Sequence, residues 1–331
     1  MIRLSIRNRK AGTKGLVVCL LFFVLLSGCI LGGCDSSPDN GMPIVTVPDT
    51  LPPMALVPVT IPTVPVASAP RLAFSENDRA VIDFSNANDG YVMARFHAVS
   101  ERQLRLIVTT PNDMQYTYAL VPGDGYEVFP LTGGNGMYTV DVREQGDDTL
   151  FSLVVTATID VVLVNEFAPF LRPSKYINYS QEGEIVRKAA ELTAGIDSQL
   201  DRIGAIYNFV ISNVSYDDDL AENVQRGYVP DVESILESGK GICFDYAAIL
   251  TAMLRSQGIP TKLVIGYFQD DDYHAWVSVY AEESGWIDDI VFFDGSNWKL
   301  IDPTIAASGI SASEIMDYIN DETNYNATFH H

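Results

Sequence analysis

The period of the apolar residues changes once along this 331-residue chain, and that change bounds what it can fold into. From Ser75 to Val164 apolar positions alternate in short runs: AVIDF, GYVMARFHA, QLRLIVTT, MQYTYALV, GYEVFPL, GMYTVDV and LFSLVVTATIDVVLV. Turn-forming clusters such as NANDG, TTPND, PGDG, TGGNG and EQGDD separate them. A period of two means strands with one buried face, and about seven at this spacing predict a sandwich of two sheets. From Glu182 the period becomes three and four. EGEIVRKAAELTAG ends at Gly195, a favourable helix stop, and Leu200, Ile203, Tyr207, Val210 and Val214 then share one helical face. Helix and strand alternate to the end. An α+β chain follows, with an all-β, immunoglobulin-like sandwich over 71–165 and helices on an antiparallel sheet over 166–331.

The first 70 residues have a different character. Arg3, Arg7, Arg9, Lys10 and Lys14 precede an apolar run from Gly15 to Leu26. The run is short of the roughly 20 apolar residues a spanning helix needs and suits a signal-peptide core. LSGC ending at Cys29 and LGGC ending at Cys34 both resemble the lipobox of bacterial lipoproteins. LSGC matches that pattern better, whereas Cys34 is followed at once by a polar stretch from Asp35 to Gly41 and leaves no thiol beside the lipid. Lipidation at Cys34 or Cys29 is expected, with 1–34 as the leader; an uncleaved anchor or an ordinary signal peptide is the alternative. Nine prolines crowd residues 35–70, which blocks helix and central strand. The segment reads as an extended tether, reaching on the order of 110 Å, that sets the domains off from a membrane on its extracellular side.

The whole chain carries 21 Lys and Arg against 43 Asp and Glu, and loss of the five leader cations takes the formal net charge from −22 to −27. Such a chain repels phosphate backbones, so nucleic acid is excluded as a partner. There is no P-loop, dinucleotide fingerprint or zinc-ligand set, and neither cofactor nor metal is expected. The acid clusters Asp217–Asp219 and Asp270–Asp272 lack EF-hand spacing and read as solvated turns. His97, alone in a strand, reads as a satisfied structural histidine, and His330 and His331 as a disordered terminus.

Once the leader is set aside, one cysteine remains. Cys243 opens GICFDYAAILTAMLRSQGIP, a predicted helix ending at Gly258 and burying Cys243, Ala247, Leu250 and Leu254 on one face. At the helix tip a thiolate meets unpaired backbone N–H groups and the positive end of the dipole. Such placement beside an imidazolium lowers a thiol pKa from about 8.5 to roughly 3.5–7.5. Two strands follow, TKLVIGYF and YHAWVSVY, the second carrying His274 near its start; WKLIDPT carries Asp302. Nucleophile, base and orienting carboxylate on successive elements make a Cys243–His274–Asp302 set for acyl transfer.

The same pieces, with HAWVSVY and the Trp286 beyond it, resemble the transglutaminase-like family of the papain-like cysteine-enzyme superfamily. The resemblance runs from about Lys175 to Thr304, some 40% of the chain. It implies a cysteine-bearing helix packed on an antiparallel sheet and carries the family's nucleophile, base and acid onto Cys243, His274 and Asp302. A tethered cysteine enzyme working on amide bonds through a thioester is the function expected. Its partner would be a protein or peptide, such as the peptide part of a cell wall. The alternative is an inactive binding or adhesion protein that uses the sandwich and keeps a vestigial scaffold.

Overall fold

The computed structural model describes residues 58–148, 150–268, 272–282, 285–287, 291–293, 298–300 and 325–331. The leader, Cys29, Cys34, most of the tether and Asp302 lie outside the described residues. Val57–His331 is one compact unit.

Eight strands build the first lobe: β1 (Phe74–Glu76), β2 (Ala80–Asp83), β3 (Tyr91–Phe96), β4 (Leu104–Thr109), β5 (Gln115–Leu120), β6 (Glu127–Pro130), β7 (Gly136–Gln145) and β8 (Phe151–Val161). They form two four-stranded antiparallel sheets, ordered β1-β2-β3-β6 and β5-β4-β7-β8. The two-residue period predicts this burial. Leu104, Leu106 and Val108 of β4 enter the core and the residues between them do not. Ile82, Val92, Phe96, Phe129, Val140 and Val142 meet them from other strands. The pattern does not predict β1, because FSE is three residues long and half-exposed. His97 differs from expectation as well: its Nδ1 is buried without a hydrogen-bond partner among the described residues.

The second lobe contains α1 (Glu184–Thr193), α2 (Gln199–Asn213), β9 (Ser215–Tyr216), α3 (Asp218–Asn223), α4 (Val232–Ser238), β10 (Lys240–Gly241) and α5 (Cys243–Ser256). Then come β11 (Thr261–Phe268), β12 (Asp272–Ala281), β13 (Gly285–Ile287), β14 (Val291–Phe293), β15 (Trp298–Leu300) and β16 (Tyr325–His330). The main sheet is antiparallel in the order β13-β12-β11-β16. Asp217, from one of the acid clusters, caps α3 by accepting the Leu220 N–H at 2.9 Å. No group of three metal-ligating side chains occurs among the described residues.

α5 is buried on every side, with Phe244 its one half-buried residue, instead of on the single face expected. α1, α2 and α4 pack around it, and β11 and β12 cover another side. A helix with apolar residues on every face has no side to turn to water, its few polar side chains being buried with it, and Ala247, Ala248 and Ala252 let neighbours approach closely. It ends as expected at Gly258, whose φ of 74° suits glycine.

Two expectations for the chain ends are corrected. Residues 58–70 have no helix or strand, as their prolines require, yet they are docked. Val64 is buried in the second lobe's core, its N–H donates to Gln181 Oε1 at 2.7 Å, and Gln181 Nε2 donates to the Pro62 carbonyl at 3.1 Å. His330 and His331 are ordered. His331 is 5% exposed, and its Nδ1 lies 3.0 Å from the Tyr118 hydroxyl of the sandwich. Its carbonyl accepts from Arg255 Nη2 at 2.9 Å. Arg255 also donates Nε to Thr261 O and Nη1 to Arg172 O, at 2.9 and 2.8 Å. Burial pushes the pKa of this guanidinium down to about 10.

Candidate active site

The approach to Cys243 is built before the helix begins. β9 and β10 pair in parallel, and the Asp217 N–H donates to Gly241 O at 3.0 Å, fixing the chain two residues short of the thiol. Ile242 is the N-cap residue in extended conformation (φ −95°, ψ 179°) and has no polar side chain to cap with. Asp245 supplies the cap from inside the first turn. Its Oδ2 accepts the Ile242 N–H at 2.9 Å, and its Oδ1 accepts from the Tyr228 hydroxyl at 2.8 Å. Asp245 is fully buried, and burial, aided by the neighbouring Asp217 charge, raises its pKa against the pull of those two bonds. Burial and the Asp245 charge in turn raise the pKa of Tyr228, so its hydroxyl stays a donor. Gly241 is required by contact: a Cβ there would lie 2.5 Å from Asp245 Cβ.

Cys243 is thus the first residue of α5, a free thiol 9% exposed and packed into the core. β11 starts beyond the other end of α5 and runs back along it, so its end and the start of β12 reach the Cys243 tip. His274 stands there, half-buried, opposite Gly266 of β11. Its ring stacks on Trp276, centroids 6.3 Å apart and planes 22° from parallel. The strand alternation matters for what faces the helix. Ala275, Val277 and Val279 enter the core with α5, while His274 shares its pleat with Trp276 and Ser278. Trp276 is therefore a packing residue, 3% exposed.

The pleat that faces α5 ends in Tyr273, a residue the motif pattern does not single out. Tyr273 pairs across the sheet with Tyr267, and their rings meet edge to face at 5.7 Å. Both are about two-fifths exposed. Burial raises the pKa of the Tyr273 phenol, with smaller contributions from Tyr267 and from Cys243 close by. Tyr176 approaches from the interlobe side and packs on Phe244 at 5.2 Å. Two aromatic side chains therefore neighbour the cysteine, Phe244 on the helix and Tyr273 on the sheet. A signal for Tyr273 does exist in the sequence, since position 273 has the parity of 275 and 277.

Residues 186–288 match the transglutaminase-like superfamily. This segment is a transglutaminase-like domain. The match takes in Cys243 and His274 and stops short of Asp302. The uncharacterized YebA protein of Bacillus subtilis is 28% identical over 122 residues, which is 30% of this chain; the chain spans 16% of that relative's length. Among solved structures, a candidate cysteine protease from Cytophaga hutchinsonii is 19% identical, covers 78% of each chain and superposes with a TM-score of 0.36. Red sea bream transglutaminase is 12% identical over 66% of this chain and 53% of its own, with a TM-score of 0.28. The fold class expected from the sequence, strand-rich first and mixed helix and antiparallel sheet afterwards, is the one observed.

Proposed function

We propose that this protein is a tethered cysteine enzyme that cleaves or transfers amide bonds of a protein or peptide through a Cys243 thioester. The observation that carries the reading is Cys243 as the first residue of a buried helix inside a transglutaminase-like domain, with His274 at the same end of the sheet that covers that helix. In this mechanism the Cys243 thiolate attacks the carbonyl carbon and the His274 imidazolium protonates the departing amine. Asp302 holds the other ring nitrogen. Water as acceptor then gives hydrolysis; a primary amine gives a new amide. The N-terminal lipid on Cys34 or Cys29 would keep the enzyme at the outer face of a membrane, near surface proteins and cell-wall peptides. The basic leader, the short apolar run and the two lipobox-like cysteines support that part of the reading.

One observation favours a second reading, a binding protein on a retained scaffold: His274 lies on the pleat away from Ala275 and Val277. Alkylation of Cys243 by iodoacetamide across pH separates the two. An activated thiolate reacts below pH 7 and loses that low-pH limb in His274→Ala. A thiol with the pH dependence of free cysteine in both proteins would overturn the enzymatic reading. Asp302→Asn tests the third member, and unchanged acylation would remove Asp302 from the mechanism.

A further inference from the structure

We propose that the Tyr273 hydroxyl is a hydrogen-bond donor to the oxyanion formed when Cys243 attacks a carbonyl, a catalytic role distinct from that of His274. The inference rests on the acyl-transfer reading above and adds the donor that reading leaves unassigned.

Strand register supplies the first reason. Leu263 pairs with Val277, Ile265 with Ala275 and Tyr267 with Tyr273, and the first two pairs are in the core against α5. The third pair continues that pleat to the helix tip. Tyr273 is therefore directed to the α5 side, and its charge interaction with Cys243 agrees with that placement. Exposure supplies the second. Cys243 is nearly closed off, whereas Tyr273 and Tyr267 are open to solvent, so a substrate reaching the sulfur passes the tyrosine pair. The third is chemical. A phenol, with an ordinary pKa of about 10, is protonated at neutral pH, as an oxyanion donor must be. Its edge-to-face contact with Tyr267 limits the ring's freedom, and preorganisation is what gives such a donor its effect.

The backbone N–H groups at the start of α5 are the natural first donors. In the step proposed, the S–C bond forms as the carbonyl π pair moves onto oxygen. That oxygen accepts hydrogen bonds from the helix tip and from Tyr273, with no proton transferred. Collapse restores C=O and expels the amine, whose proton comes from His274.

The test compares wild type, Tyr273→Phe and Cys243→Ala in the chain from Val57 onward, the unit that is compact here. Two probes are used. p-Nitrophenyl acetate acylates the thiolate through an oxyanion and releases nitrophenolate, which needs no proton from His274. Iodoacetamide reacts with the same sulfur by direct displacement, with no oxyanion. Phe keeps the ring and its packing against Tyr267. The expected result is an acylation burst about 10- to 100-fold slower in Tyr273→Phe, within reach of the loss seen when one oxyanion donor is removed. Alkylation should be unchanged. A normal burst in Tyr273→Phe that Cys243→Ala abolishes would overturn the inference and leave the acyl-transfer reading standing. Equal slowing of both reactions would also overturn it, by reducing Tyr273 to a structural role. If wild type gives no Cys243-dependent burst, the enzymatic reading falls and this inference falls with it.

Discussion

Arg255→Met should destabilise the protein by about 3 kcal/mol, and the structure shows how that figure arises. The guanidinium donates to three backbone carbonyls, those of Arg172, Thr261 and His331, which come from the linker, the start of β11 and the end of β16. Hydrogen bonds from a charged donor contribute about 1.5–3 kcal/mol each, so three at roughly 2 give about 6. Burying the charge opposes this. The fall of the arginine pKa from 12.5 to about 10 corresponds to roughly 3 kcal/mol against the charged form. Methionine fills most of the slot, removes the buried charge and loses all three bonds, which leaves a net loss near 3 kcal/mol. The His331 carbonyl keeps the Leu263 N–H, at 2.9 Å, which holds the loss to the lower part of the range. Urea unfolding followed by tryptophan fluorescence reads the effect as a lower midpoint at constant slope. Arg255→Lys, one point charge without the planar fork, should fall between the two. A Met variant within 1 kcal/mol of wild type would refute the reasoning, because the carbonyls would then be no worse served without the guanidinium.

Gly241→Ala should destabilise by about 2 kcal/mol or more, on the order of an overpacked core site, because its Cβ meets Asp245 Cβ and dislodges the cap of α5. Differential scanning calorimetry reads the loss, and an unchanged Tm would show that the loop relaxes freely. Gln181→Ala removes two bonds that pin Pro62 and Val64, about 1–2 kcal/mol, and should speed proteolysis between residues 58 and 70 while the lobes stay resistant. For pH, burial pushes the His331 pKa down to about 3, so the unfolded chain takes up a proton near pH 6.5 that the folded one refuses. Stability from this group is full above pH 6.5 and declines as pH falls toward 3. His331→Gln should flatten that decline in a Tm series from pH 7 to 4. Asp245, raised by burial, works in the opposite sense and gains on acidification, so a wild-type curve that rises steadily over this range would count against the His331 assignment.

Where one element's own residues decide its structure, the sequence was readable. The alternating runs predict strands β2 to β8, and Gly195 and Gly258 mark where two helices stop. The helix bearing Cys243 and the strand bearing His274 are where their patterns place them. What escaped depends on partners far along the chain. β1 and β9 are too short for any period, and β16 is a strand because β11 offers it an edge. The role of Arg255 is set by three carbonyls from elsewhere in the chain, and its own helix gives no sign of it. The site was legible in part for the same reason. Position at the helix start singles out Cys243 as the candidate nucleophile, but which pleat faces it is a property of the sheet. Asp302 lies beyond the described residues, so its place beside His274 belongs to the proposal.

The pairing of β11 with β16 has a consequence for the order in which the chain can fold. All eight sandwich strands pair with one another, so that lobe has its partners once residue 161 exists. The second sheet does not. β11 has β12 on one side almost at once, but its other edge and the buried Arg255 wait for residues 325–331. Tyr118 of the sandwich waits longer in sequence terms, since His331 is 213 residues away. Until then β11 presents an unpaired edge rich in Val, Ile and aromatic residues, the kind of surface that recruits other chains. The chain is synthesised amino end first. Its sandwich therefore forms beside an unfinished partner, and arrival of β16 sets the moment when the cysteine-bearing lobe stops being a hazard to its neighbours.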